Sequence, residues 1–273
     1  MSANRLGWHH LCVEIPDAWE VIGYGTQPRD GRLLLSDPRG ETLQVHWKTL
    51  KRAPNLRNRL QAWKDTIPHE GGVQFREVEN WAVCALEDGP LLAARHNAEA
   101  RVLLTLVFSG HAREDAGDAG IEAILRSHQE NRGERRTWAA FGIDVTLPGE
   151  WELESVEAWP AAQRLHFSRH RAERVSVHRY GMLPVLLAGD SDEAFLARMK
   201  GPRALLRVEG PWGKGLALSY RAVHSGLMSV FRGSSPGLAW LWRESGLERL
   251  YVFDQKIRGQ QVGAEPIGEV RCR

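Results

Sequence analysis

The chain has 273 residues, and 36 Lys+Arg against 34 Asp+Glu leave a formal net charge of +2. That balance lacks the basic footprint a nucleic acid or an anionic membrane surface requires. Hydrophobic content of 42% with 26% charged residues excludes a disordered chain. No run approaches the roughly 18–20 apolar residues of a membrane-spanning helix.

The opening residues, MSANRLGWHH, contain no apolar signal region, so a cytoplasmic protein is expected. Leu11, Val13 and Ile15 then alternate with polar or small residues, the period of a strand with one buried face, and Pro16 ends it. Arg32–Ser36 and Thr42–Trp47 read as a hairpin across Asp37–Gly40. Leu56, Leu60, Trp63 and Ile67 recur at helical spacing. Three further strands are predicted at Trp81–Glu87, Leu91–Asn97 and Arg101–Phe108, and Ile121, Ile124 and Leu125 predict a closing helix.

A shift of 132 residues lays this pattern on the second half. Positions 9–47 align with 141–179 without a gap, and 12 of the 39 pairs are identical, among them Pro16/Pro148, Trp19/Trp151, Arg32/Arg164 and His46/His178. An ungapped match of that length implies a tandem duplication, with a period too long for a solenoid. The second copy repeats the first strand at Ile143–Leu147 and the hairpin at Arg164–Ser168 and Arg174–Arg179. Asp190-Ser191-Asp192-Glu193 resembles a capping box with Asp190 as N-cap, leading into a helix with Phe195 and Met199 on its apolar face. Strands are predicted at Gly215–His224, Leu227–Arg232 and Leu238–Arg243. Leu250–Phe253 has strand composition, but the repeat places a helix there, over Gly246–Tyr251.

The expected fold is α+β: two tandem, similar sandwich domains, each an antiparallel sheet with helices packed on one face. The domains are residues 1–132 and 133–258, divided in the charged stretch Gln129–Thr137, with residues 259–273 an extended tail. Leu33, Leu35, Leu43, Val45 and Trp47 are expected beneath the helices, leaving the opposite face polar and outward.

The run from Phe141 to Trp151, FGIDVTLPGEW, resembles the opening strand of the Mog1/PsbP-like superfamily, where F-x-I-x-x-P-x-x-W leads into a hairpin. The resemblance covers residues 8–132 and 138–257, and copy one departs from it by carrying His9-His10 in place of Phe141-Gly142. It implies a non-catalytic binding role, as in the photosystem subunits, the nuclear-transport GTPase partner and the secretion chaperones of that superfamily.

Catalytic and cofactor motifs find little support. Gly233-Ser234-Ser235-Pro236-Gly237 has the letters of a nucleophile elbow but lies between strand-like segments, where Gly, Ser and Pro make a hairpin loop. No glycine pattern has phosphate-binding spacing. His9 and His10 would point to opposite faces of a strand, and His166 with His178, or His10 with His46, supplies two ligands where a metal needs three or four. Three cysteines, Cys12, Cys84 and Cys272, form no zinc or disulfide pattern. No cofactor is expected.

The binding residues singled out are Arg32, His46, Arg164, His166 and His178, on the outward sheet face. The expected function is a cytoplasmic scaffold or adaptor that engages another protein or further copies of itself, chaperone-like if the resemblance holds. Two alternatives stand beside it: a module holding a small apolar or acidic molecule in a groove between sheet and helix, and a hydrolase using Ser235.

Overall fold

A computed structural model describes residues 3–87, 89–170, 173–200, 205–210, 213–221, 236–244, 248–257 and 266–272. The chain divides into two compact units, residues 1–132 with 137–140, and residues 133–136 with 141–273. Twenty strands and four helices are described, and the strands form three antiparallel sheets.

Unit 1 contains β1 (Ala3–Trp8), β2 (Leu11–Pro16), β3 (Glu20–Tyr24), β4 (Asp30–Asp37), β5 (Gly40–Thr49), α1 (Leu56–Lys64), β6 (Val73–Val78), β7 (Trp81–Leu86), β8 (Leu91–Asn97), β9 (Val102–Phe108), α2 (Gly110–Arg126) and β10 (Gln129–Glu130). Its large sheet runs β3-β4-β5-β9-β8-β7-β6. Strand alternation sends Leu33, Leu35, Leu43, Val45, Trp47, Leu106 and Phe108 to one face, all buried. That face is covered by α2, which packs on β2, β5 and β6, and by the β1–β2 hairpin, whose Trp8 meets Tyr24 of β3. Trp81 Nε1 donates to the Leu125 carbonyl of α2 at 3.1 Å, and the ring of His9, in the turn after β1, lies 5.0 Å from that of Trp47. The smaller sheet runs β10-β2-β1 and continues through residues 137–140, with Gly7 opposite Ala139. A Cβ on Gly7 would meet the Thr137 carbonyl at 2.7 Å, so this pairing requires glycine.

The opposite face of the large sheet is not open. Leu60 of α1 packs on Cys84, Leu92, Ala94 and Leu103, with Leu56, Trp63 and Val107 around them. The helix begins where Asn55 caps it by accepting from the Asn58 N–H at 3.0 Å. Helices therefore lie on both faces, and the expected one-sided α+β sandwich is overturned by a mostly β architecture. The cause is a second sheet on the apolar face, which alternation within one sheet cannot announce.

Unit 2 contains β12 (Ile143–Pro148), β13 (Glu152–Trp159), β14 (Ala162–Arg169), β15 (Glu173–Tyr180), α3 (Leu183–Leu187), α4 (Asp192–Lys200), β16 (Leu205–Gly210), β17 (Gly213–Arg221), β18 (Pro236–Glu244), β19 (Arg249–Lys256) and β20 (Glu269–Cys272), while β11 (Arg135–Ala140) enters it by residues 135–136. The large sheet runs β13-β14-β15-β19-β18-β17-β16, the connectivity of unit 1. Both copies turn the chain after β2 and β12 in the same way, Trp19 donating to the Pro16 carbonyl and Trp151 to that of Pro148, each at 3.1 Å.

Register locates where the copies diverge. Leu43 faces Phe108 and Val175 faces Gln255. Val175 lies 132 residues after Leu43, but Gln255 lies 147 after Phe108, so fifteen residues are added in between. By register β17 lies 134 residues after β7 and β18 lies 147 after β8, so thirteen of the fifteen fall between β17 and β18. The strand predicted at Leu227–Arg232 and Ser235 itself lie in that stretch, outside the described residues. The segment predicted as a closing helix at Gly246–Tyr251 instead enters β19, the counterpart of β9; its strand propensity was the better guide, and its alignment with the helix at Gly120–Leu125 misled.

One smaller correction concerns a cap: Ser191, not Asp190, caps α4, accepting from the Ala194 N–H at 3.2 Å. The units change over within Gln129–Thr137, a stretch that holds β10 and the start of β11. In the tail, β20 pairs with β12 in register Val145 to Val270.

Candidate functional site

Helix α1 spans only part of the sheet beneath it, and a groove of about 600 Å³ remains at its side. Gln44 and His46 of β5, Leu92 and Ala94 of β8, and Thr105 and Val107 of β9 form its floor; Arg59, Leu60 and Trp63 of α1 form its wall. The floor is polar on β5 and apolar on β8. Along β5 the Gln44 amide donates to Glu41 Oε1 at 2.5 Å, and the Gln44 carbonyl lies 3.1 Å from His46 Nε2. Burial, then the neighbouring Arg32 guanidinium, hold the His46 imidazole below its ordinary pKa.

Two of the predicted binding residues meet here. Arg32 faces His46 across β4 and β5; Arg32 is exposed, whereas His46 is half-buried in the groove. Helix α1 covers this face over β7 and β8, and the polar part on β5 borders the groove at its side.

The other three predicted residues come together in unit 2. Arg164 faces His178 and His166 faces Ser176 across β14 and β15. The rings of His166 and His178 are 5.7 Å apart in a T-shaped contact. His166 bonds Ser176 Oγ at 2.8 Å, His178 bonds the Tyr180 hydroxyl at 2.9 Å, and Arg164 donates to Glu157 at 2.8 Å. His178 is sealed. Tyr180, Leu183, Leu187, Phe195, Leu196, Leu216, Leu241 and Leu250 form one core beside it, and it is only 6% exposed, whereas Arg164 and His166 remain partly exposed. Burial, followed by the charges of Lys200, His166 and Arg164, pushes His178 well below its ordinary pKa; burial lowers His166 as well.

The seal has a local origin. Chain from β5 to α1 occupies 50–55, whereas that from β15 to α4 occupies 181–191 and includes α3. Both ends of α3 are left-handed non-glycine residues, Met182 at φ 53° and Ala188 at φ 48°, which fold this short helix onto the sheet. Counting from each helix start, Leu60 matches Leu196, while exposed Arg59 matches buried Phe195. The second copy fills with Phe195 and α3 the space that the first leaves open.

His9 and His10 are not strand neighbours on opposite faces but the turn between β1 and β2, with His9 left-handed at φ 41°. His10 Nε2 bonds the Pro28 carbonyl at 2.7 Å. Among the described residues no group of three His, Cys, Asp or Glu side chains is arranged to hold a metal. No helix among the described residues is long and apolar enough to cross a membrane. The groove's wall and apolar floor, Arg59, Trp63, Leu92 and Thr105, were not singled out from sequence. Their signal was Leu91-Leu92-Ala93-Ala94, an unbroken apolar run that marks a strand covered on both faces. No protein-family model, curated protein or solved structure matches the chain.

Proposed function

We propose that the chain is a non-catalytic binding protein whose first unit holds a small, largely apolar molecule in the groove beside α1. The observation that carries this reading is the groove itself: its volume falls inside the range of roughly 300–1,000 Å³ typical of small-molecule sites, and its lining joins an apolar wall to a few converging polar groups. The test is native mass spectrometry of the chain isolated from its own host, beside a Leu92→Trp variant that fills the floor. A small molecule retained by the natural chain and lost from the variant supports the proposal. A natural chain carrying nothing, or a variant retaining the molecule equally, overturns it.

A protein-binding scaffold is the second reading, and edge strands favour it. Ile22 on β3 is 60% exposed, Phe75 on β6 39% and Trp159 on β13 66%, each on an outermost strand of a large sheet. Unpaired edges with exposed apolar side chains suit strand addition by a partner. Affinity capture with the natural chain and with Phe75→Lys and Trp159→Lys variants tests it: a stoichiometric protein lost from either variant supports it, and capture unaffected by both counts against it.

A further inference from the structure

The groove's hydrogen-bond polarity can be worked out atom by atom, and it specifies the head group of the ligand. This step rests on the small-molecule reading above. Glu41, as a carboxylate, only accepts hydrogen bonds, so the group of Gln44 that meets it must be the NH₂ end. The carbonyl of Gln44 is thereby turned to His46 Nε2. A carbonyl cannot donate, so Nε2 carries the hydrogen. A neutral imidazole has one N–H, and Nδ1 therefore keeps its lone pair. Among the described residues, Nδ1 has no hydrogen-bond partner in the protein, and His46 lines the groove. Charge around the ring is mixed: Glu41 stands on the same strand, Arg32 faces His46 across β4 and β5, and Arg59, in the lining, lies on the exposed side of α1.

We propose that the groove selects a small apolar molecule bearing a hydrogen-bond donor, a hydroxyl or an amide N–H, which bonds His46 Nδ1. A carboxylate head is disfavoured, because it would set its own lone pairs against that of Nδ1. The apolar body lies along Leu60, Trp63, Leu92 and Val107.

Titration calorimetry of the full chain near pH 7.5 with 2-naphthol, 2-methoxynaphthalene and 2-naphthoate tests the head group on one constant ring system. 2-Naphthol should bind roughly fivefold to tenfold tighter than either of the others, the worth of one hydrogen bond made in a partly dry site. In His46→Leu that preference should vanish while 2-methoxynaphthalene still binds. Nitrogen NMR of the histidine rings in the natural chain needs no substitution and should report an Nε2-protonated tautomer for His46. Tighter or equal binding of 2-naphthoate, a preference that survives His46→Leu, or an Nδ1-protonated ring overturns the head-group assignment alone. Failure of all three probes to bind removes the groove reading and this inference with it.

Discussion

The sheet face beneath α1 and the corresponding face beneath α3 and α4 descend from one pattern, and they have opposite fates. Each carries a histidine at the same strand position, His46 and His178, with an arginine across from it. Beside α1 the histidine borders a groove; under α3 and α4 it is locked into a continuous core. The sheets are alike, so the difference comes from the connection that leads to the helix and from the side chain the helix turns inward. A strand pattern therefore fixes a scaffold, while the cover laid on it decides whether there is room for a guest.

The sharpest way to break this comparison is at the matched helix position. Phe195→Ala should cost unit 2 about 3–5 kcal/mol, the usual penalty for emptying a buried aromatic site, whereas Arg59→Ala should stay within about 0.5 kcal/mol. Urea denaturation measures both, and equal losses would refute the claim that the two covers differ.

Acid sensitivity comes next. His128, beside β10 in unit 1, is depressed to about 4 by burial and by the Arg95 guanidinium. The unfolded chain takes up this proton near pH 6.5 and the folded chain does not, so stability falls as pH drops below about 6.5 and the loss is complete near pH 4. It amounts to about 3 kcal/mol, and His128→Gln should be less acid-sensitive by that much between pH 7 and 4. His178 acts with the same sign, and His178→Phe should flatten the acid limb in unit 2. Native-state hydrogen exchange, read unit by unit, separates the two.

A cap test follows in size. Asn55→Ala removes the first hydrogen bond of α1 and should cost about 1 kcal/mol, with looser binding of any groove ligand. The smallest effect is a gain: Ala188→Gly relieves a left-handed alanine at the end of α3 and should stabilise unit 2 by about 0.5 kcal/mol. A loss there would mean that α3 is not held in the described conformation.

Legibility in the sequence followed the physics of each signal. The 132-residue offset predicts β2, β4 and β5 together with their counterparts, because one-sided burial writes a period of two into the chain. It fails from β18 onward, where added residues reset the offset and the composition of Leu250–Phe253 is the truer indicator. The short strands β3 and β6 escaped notice because they are edges with few buried positions. Arg32 and His46, and likewise Arg164, His166 and His178, were readable as sets sharing a face, since alternation alone puts them there. Which face the helices would cover was not readable. The apolar face is claimed by the β1–β2 hairpin and α2, from the two ends of the unit, and the burial of Leu92 and Ala94 on the other side becomes apparent only when β8 and β9 are placed beside β5.

The left-handed ends of α3 have a consequence for how such a protein changes over generations. A vacancy that depends on one short connection, and not on the strands, is cheap to close and equally cheap to reopen. After duplication, one sibling can harden into ballast while the other keeps its berth, and a few altered codons between β15 and α4 would suffice to exchange their trades.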